Sequence, residues 1–509
     1  MELPWLISLL LFFLTILTLI KFSKSHKNAS KLPPGPPKLP IIGNLHQLAA
    51  KNSLPHHLFA ELASVYGPIM HLRLGEIATV VVSSAEMAKE VMRTHDAALC
   101  SRPSVLAGEL VFYGSSDIGL APYGEYWRHV RKIATLELFT AKRVQSFRPI
   151  REEEVANLVE SIAMEEGSVV NLSKKLFGLA FDITSRIAFN KKGAEQEEFK
   201  ALAADVGEMV SGFSVCDLYP SIKFLNLITG SGRKFQELVR RCNKIVDPII
   251  QDHIAMKRQG RKKDHEDLVD VLLTFHEDND ERSDGSQFSL TMDNIKAIVL
   301  ELFGAGSETS STTVEWAMSE LLKNPKAMEK AQDEVRRVLK FQGQDVDDGA
   351  SLKELRYLKQ VIKETLRLHP PLPLLVPRQS MEHCKIQDYD IPTETRVIIN
   401  AWAIGKDRKS WLQPEHFIPE RFEDSSVDYN GTHFELIPFG AGRRICPGMG
   451  LGLAIVELTL ARLLYHFNWK LPSGFGPQDL NMDETFGTVA RRKHELLAIP
   501  TVHPPCVAD

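Results

Sequence analysis

Apolar residues recur every three to four positions over long stretches of the chain and alternate or cluster over only a few short ones. The clearest helical periods run from Ala317 to Leu339, Leu352 to His369 and Leu451 to Phe467. Another, from about Asn294 to Lys323, holds strong periodicity on both sides of a small and hydroxyl-rich centre. Short β-branched runs, Thr79–Val82 and Arg396–Ile399, predict a minor sheet. The pattern is therefore mainly α with a little β. Its first segment differs from the rest: Leu3 to Ile20 is 18 residues without a charge, just long enough to span a bilayer. Lys21, Lys24, Lys27 and Lys31 follow it, and no small-residue cleavage site does. A retained membrane anchor is expected over residues 3–20, with everything after it on the cytosolic side. Residues 21–44 read as a basic, Pro-rich hinge, because Pro33-Pro34-Gly35-Pro36-Pro37 cannot be helical. No second linker and no repeat interrupts residues 45–509, which are expected to form one catalytic domain.

Composition narrows the choice of function. With 509 residues, 44% of them hydrophobic, the chain can bury a large core. A net charge of −4 gives no footprint for nucleic acid. The six cysteines have no framework spacing, so a disulfide scaffold is not expected. Nothing near Cys446 could complete a zinc site with it.

Cys446 nevertheless stands in an unusual setting, Phe439-Gly440-Ala441-Gly442-Arg443-Arg444-Ile445-Cys446-Pro447-Gly448, between a Gly-rich loop and a long apolar helix. Backbone N–H groups and a helix N-terminus favour a thiolate there. Gly442 and Gly448 would let the backbone approach something flat, and Arg444 could meet a carboxylate. The combination fits a haem held through a thiolate. The centre of the Asn294–Lys323 helix reads Gly304-Ala305-Gly306-Ser307-Glu308-Thr309, with further hydroxyls to Thr313. Glycines and hydroxyl residues are poor helix formers, and hydroxyls that bond back to carbonyls can bend the axis and open a space. Glu364 and Arg367 share one helix face, as do several other Glu/Arg pairs in the chain. Three G-x-G starts, at Gly304, Gly440 and Gly448, each lack the glycine that would complete a dinucleotide fingerprint. The chain has no such route to its own nicotinamide or flavin.

The Cys446 stretch resembles the haem-binding loop of the cytochrome P-450 family, F-x-x-G-x-R-x-C-x-G, with Phe439, Gly442, Arg444, Cys446 and Gly448 at its fixed positions. Further signatures recur in the family's order over nearly the whole chain, and the likeness is greatest to the plant microsomal branch that includes terpenoid and alkaloid hydroxylases. The resemblance implies a cytochrome P-450-like helical fold with a small β-sheet domain, preceded by one transmembrane helix. It implies haem b on Cys446, and Glu308 with Thr309 as an acid–alcohol pair that delivers protons during dioxygen cleavage. Trp127 and Arg131 match the family's W-x-x-x-R; with Arg378 and Arg444 they are candidates to hold the two haem propionates. Glu364 and Arg367, followed by His369-Pro370-Pro371 and then Arg421, would form a buried structural triad. Family position also assigns substrate contacts to Val111, Phe112, Ile298, Leu302, Ala305, Leu374, Val376, Phe486 and Thr488, a mostly apolar set.

The implied reaction is an NADPH- and O2-dependent monooxygenation of a hydrophobic small molecule at the endoplasmic reticulum membrane. Electrons would come from a separate NADPH-cytochrome reductase, with Lys132 and Arg443 as candidate docking residues. A terpenoid substrate is expected first, an alkaloid or other polycyclic aromatic second. An O2-independent rearrangement on the same fold and a haem carrier or sensor stay as alternatives; the intact Glu308/Thr309 pair argues against both.

Overall fold

The computed structural model describes residue 12 and residues 31–50, 53–192, 196–222, 231–259, 266–276, 289–340, 352–485 and 487–503. The expected membrane span, Phe12 apart, and the hinge up to Ser30 lie outside these residues, as does Phe486.

The longer helices among the described residues are α1 (Pro55–Tyr66), α2 (Glu125–Ile133), α3 (Arg148–Ala163), α4 (Leu172–Phe189), α5 (Gln196–Val210), α6 (Ser231–Arg258), α7 (Met292–Lys323), α8 (Pro325–Lys340), α9 (Arg356–Leu368) and α10 (Met449–His466). The strands are β1 (Ile69–Leu74), β2 (Ile77–Val82), β3 (Val170–Asn171), β4 (Arg378–Gln379), β5 (Cys384–Ile386), β6 (Tyr389–Ile391), β7 (Arg396–Ile399), β8 (Phe467–Lys470) and β9 (Leu497–Val502). The largest sheet has the order β1-β2-β7-β4. Its β2/β7 pair is parallel, with Val80 opposite Val397, so the chain between them must cross over, and most of the helices are built in that crossover. Two small sheets, β3-β9-β8 and β5-β6, complete the β content.

Helix α7 runs through the largest core cluster, with twenty-one of its residues buried, packed against α4, α9 and α10. A threonine N-cap, Thr291, forms a reciprocal capping box with Asn294 and starts it. The period expected from Ala317 to Leu339 is two helices. The residue before a proline avoids the α region, and Pro325 suits the first turn of a new helix, so α7 ends at Lys323 and α8 begins at Pro325. Residues 352–354 are helical as expected, and Leu355, at φ −73°, ψ 79°, separates them from α9, which begins at Arg356.

The Pro-rich stretch is not a free spacer where it is described. His71 N–H donates to Pro34 O (2.8 Å), and Asn44 Nδ2 donates to Pro36 O (3.2 Å) and Pro37 O (3.1 Å). A Cβ on Gly35 would lie 2.1 Å from His71 O, so only glycine lets the chain run this close to β1. The globular unit thus begins near Lys31 rather than at residue 45.

Among the described residues α10 is the one helix long and apolar enough to cross a membrane by length and composition. Eight of its residues are buried against the core, and it leaves the Cys446 loop at the centre of the molecule.

Candidate active site

Burial along α7 is interrupted at Glu301, Leu302, Ala305, Gly306 and Thr309, where the helix faces a cavity. The opposite wall is the loop Phe439–Gly448. Cys446 N–H donates to Phe439 O (3.0 Å) and Ile445 N–H to Gly442 O (3.1 Å), which folds the loop back and presents the thiol to the cavity. Among the described residues Cys446 is the only cysteine lining this cavity, and the five described cysteines are all unpaired. Burial pushes its thiol up, opposed by the Gly448 and Met449 N–H groups at the start of α10 and by Arg131. The helix N-terminus therefore favours the thiolate, as its position predicts, but does not outweigh burial.

The two glycines expected to admit a flat group behave differently. Gly448 lines the cavity and a Cβ there would meet nothing within 4 Å. Gly442 does not line it: at φ +68°, its Cβ would fall 2.2 Å from Met92 O and 2.8 Å from Asp96 Oδ1. Gly442 is needed for packing behind the loop, so its expected approach to a flat group is corrected.

Trp127, Arg131, Arg378, Phe439 and Arg444 all line the cavity. Arg131 donates to Ile445 O (2.6 Å), tying α2 to the residue before the thiol. Arg444 stands 4.1 Å over the Trp127 ring and donates to Cys100 O (2.8 Å) and Ala121 O (2.7 Å). Arg378 donates to Asp96 Oδ1 (2.7 Å) and Ala441 O (2.8 Å). A fourth arginine that sequence reasoning missed, Arg102, joins them; it donates to Gly119 O (2.7 Å) and Val376 O (2.7 Å). Burial, then Arg444 and Arg378, pull Arg102 down. Three buried arginines and the half-buried Arg131 face one cavity whose described lining holds a single carboxyl, Glu301, so positive charge is in excess there, which fits a dianionic guest.

On α7 the hydroxyls bond back as expected: Ser307 to Phe303 O (2.9 Å), Thr309 to Ala305 O (2.7 Å) and Thr313 to Thr309 O (2.8 Å). The helix nonetheless stays continuous from Met292 to Lys323. Room beside the cavity comes from the lack of bulk at Ala305 and Gly306. Thr309 lines the cavity, whereas Glu308 does not. Successive residues on a helix point about 100° apart, and Glu308 turns to Arg491, whose Nε donates to Oε1 at 2.6 Å. Burial raises the Glu308 carboxyl and Arg491 opposes it. The two residues are adjacent in the chain but their side chains point in different directions, Thr309 to the cavity and Glu308 to Arg491.

Glu364, Arg367 and Arg421 are brought together. Arg367 Nε and Nη2 meet the Glu364 carboxylate at 2.7 and 2.8 Å, and Arg421 Nε meets Oε1 at 2.9 Å. Arg367 also donates to Gly405 O (2.6 Å) and Pro414 O (2.7 Å), so the triad holds the chain that leads to the Cys446 loop.

Of the expected substrate contacts, Leu302, Ala305 and Val376 line the cavity. Val111 and Phe112 are buried in the main core, and so is Ile298, one turn beyond the cavity's end. Leu374 packs on the cluster around β1 and β2. The Thr488 hydroxyl bonds Gly207 O instead. These five do not line the cavity, because family position identifies a segment and not the direction each side chain takes.

The comparisons agree with this geometry. The cytochrome P-450 family model matches residues 33–497. A desmethyl-deoxy-podophyllotoxin synthase of Sinopodophyllum hexandrum is 50% identical over 495 residues, covering 97% of this chain and 96% of that protein. A premnaspirodiene oxygenase of Hyoscyamus muticus is 47% identical, covering 98% of each chain, and a melianol synthase of Citrus sinensis is 48% identical, covering 99% of this chain and 98% of that one. A zebrafish cytochrome P-450 solved with abiraterone superposes with a TM-score of 0.73 at 27% identity, covering 88% of this chain and 100% of that one. The chain belongs to the cytochrome P-450 family. It is accordingly a haem-thiolate monooxygenase that takes electrons from NADPH through a separate reductase and acts on a hydrophobic molecule. The residues fit the haem: one thiol on a wall with open space at Gly448, four arginines on the lining, and an α7 face with little bulk.

Proposed function

We propose that this chain oxidises a terpenoid of plant specialised metabolism, by hydroxylation or epoxidation. The observation that carries the reading is the cavity between Cys446 and α7. Apart from its arginines and Glu301 it is walled chiefly by apolar side chains, among them Leu302, Ala305, Leu366, Leu372, Leu375 and Val376. The premnaspirodiene and melianol relatives support it. A second reading, a polycyclic aromatic substrate of alkaloid or lignan type, is favoured by the podophyllotoxin-type relative.

In this proposal Cys446 would hold the haem iron through its sulfur, and Trp127, Arg131, Arg378 and Arg444, with Arg102 added, would hold the propionates. When bound, the haem supplies dioxygen activation. Thr309 holds a proton donor's position on the cavity wall, and Glu308, linked to Arg491, feeds protons toward it from behind. Residues 3–20 anchor the chain in the endoplasmic reticulum membrane with residues 31–509 in the cytosol. Lys132 and Arg443, both solvent-exposed, lie on the reductase-docking face.

Reconstitution with a plant NADPH reductase and a panel of sesqui-, di- and triterpenes, lignans and indole alkaloids tests it. Oxygenated terpenoid products are expected. Turnover confined to lignans or alkaloids would overturn the substrate class, and product formed without reductase or dioxygen would overturn the reaction class.

A further inference from the structure

Away from the cavity, three imidazoles converge on one carboxylate. His56 and His57 open α1, where Pro55 takes the first helical position. Glu484 comes from the C-terminal segment, 428 residues after His56, and His369 from the end of α9. His56 Nε2 lies 2.7 Å from Glu484 Oε2, and His57 Nε2 lies 3.7 Å from the same oxygen. His369 Nδ1 stands 3.7 Å from Oε1, beyond hydrogen-bond range. None of these four residues lines the cavity.

Hydrogen bonds leave the cluster incomplete. His369 is 9% exposed; its Nε2 meets Glu320 at 2.7 Å, while its Nδ1, aimed at Glu484, has no partner. Trp402 packs on the His56 and His57 rings, with centroids 5.4 and 4.3 Å away, and its buried indole N–H is also without a partner. Polar atoms buried in this way are costly. One donor atom from each of His56, His57 and Glu484 lies within 4.8 Å of the other two. A tetrahedral zinc ion with bonds of about 2.0–2.1 Å sets its ligand atoms about 3.3 Å apart. That spacing falls between the 2.7 and 3.7 Å that separate the two imidazoles from Oε2.

Charge and access favour a cation here. Burial pushes Glu484 up, and the His369 and His56 imidazoles outweigh it, so the carboxylate is ionised at neutral pH. Burial, then His56, pull His57 down, with Glu484 opposing, which leaves the ring a neutral base with a lone pair to give. Lys406, the competing cation, stands 4.0 Å over the Trp402 ring and pairs with Glu415 at 3.4 Å. The His56 and Glu484 side chains are buried, whereas that of His57 is 37% exposed and opens the cluster to solvent.

We propose that His56, His57 and Glu484 form a site for a divalent transition-metal ion of the zinc class, with water entering beside His57 as the fourth ligand. Two imidazoles and one carboxylate suit zinc, whereas calcium and magnesium take oxygen ligands. The ion sits on Oε2 and leaves Oε1 to His369, an outer partner of the kind that orients a ligating group. It ties the start of α1 to the segment carrying Ala490 and Arg491. Those two residues meet α7, through Trp316 Nε1 (2.9 Å) and the Glu308 carboxyl (2.6 Å). The site is a clamp on the segment behind the cavity, whatever the substrate.

The experiment strips the haem-loaded, full-length protein with a chelator, dialyses it against buffered zinc and measures the zinc-to-iron ratio by elemental analysis. Zinc-edge X-ray absorption reports the neighbouring atoms. The wild type is expected to take up one tightly held zinc per haem iron, with nitrogen and oxygen neighbours and no sulfur. An excess of calcium or magnesium should not displace it. His57→Phe keeps a ring against Trp402 without a nitrogen; it and Glu484→Gln should each weaken binding by about 100-fold, the upper end of what losing even an outer partner costs. The proposal is overturned by a wild type that holds no zinc tightly, by sulfur among the neighbours, or by displacement with calcium or magnesium. Uptake in His57→Phe equal to the wild type also overturns it, since the zinc is then adventitious and bound elsewhere. Should Glu484→Gln fail to load haem, His57→Phe, altered at a partly exposed ring, decides.

Discussion

A buried cysteine ordinarily stays a thiol, and at Cys446 burial outweighs the N–H groups of α10 and the charge of Arg131. A coordinated metal ion reverses that balance, since it deprotonates a ligating thiol outright. Replacing Cys446 by Ser should abolish the thiolate-type spectrum of the reduced carbon monoxide complex; an unaltered spectrum would remove Cys446 from the ligand position. Thr309 faces the cavity with its hydroxyl bonded back to Ala305 O. Thr309→Ala should leave NADPH consumption running while product falls, and tight coupling in that variant would count against a proton-positioning role. Residue types at fixed spacing made these positions legible. Arg102 and Arg491 were not legible, because each takes its role from a partner between 17 and 274 residues away in the chain.

At the scale of elements, two devices hold the thiol loop. One is the close approach at Gly442, where a left-handed backbone and the Met92 carbonyl leave no place for a Cβ. Gly442→Ala should cost about 1–3 kcal/mol from the backbone conformation alone, and more from displacing Met92. Haem content after purification would report it, and a fully loaded, equally stable variant would contradict it. The other is the Glu364–Arg367–Arg421 triad, with Glu364 and Arg367 at 0% side-chain exposure. Arg367→Leu strands a buried carboxylate and several carbonyls, so a loss of about 3–5 kcal/mol is expected in denaturant unfolding. Many Glu/Arg pairs share this spacing in the sequence; what sets this one apart is its depth, together with carbonyls from residues 405 to 416 that converge on the same guanidinium. Helix positions were legible from periodicity. The break at Asn324 was written in the next residue, Pro325, and yet the apolar period runs across it.

Across the whole molecule, a buried histidine–carboxylate cluster joins α1, α7, the end of α9 and the C-terminal segment. His369 stacks on Trp316 at 4.1 Å and bonds Glu320 at 2.7 Å, while His56 bonds Glu484 at 2.7 Å and His369 Nδ1 lies 3.7 Å from the same carboxylate. Burial opposes the charge on His369, but its two carboxylate partners win and raise it. Burial likewise opposes ionisation of Glu484, and the His369 and His56 bonds win and hold it well below the usual carboxylate range. The raised histidine stabilises the fold below its unfolded value of about 6.5, and that stability is lost as pH rises through the folded value. The depressed carboxylate stabilises it above its unfolded value of about 4.3, and that is lost as pH falls through the folded value. In chelator-treated protein the thermal advantage of the wild type over Glu484→Gln should thus be greatest near pH 5.5 and shrink toward pH 8.5; a pH-independent difference would mean the cluster does not titrate with folding.

By itself the sequence determined the helical class, the small sheet, the thiol and its loop, the α7 hydroxyls and the need for an outside electron source. Each is local: a period, a spacing or a missing glycine acts within a few residues of itself. Only the tertiary structure decided that Glu308 turns from the cavity to Arg491, that Gly442 serves the loop's packing, that the Pro-rich stretch lies on β1, and that Glu484 meets His56 and His57. Those outcomes depend on side-chain direction and on contacts between distant segments, and burial sets their energies. A linear pattern carries neither direction nor depth.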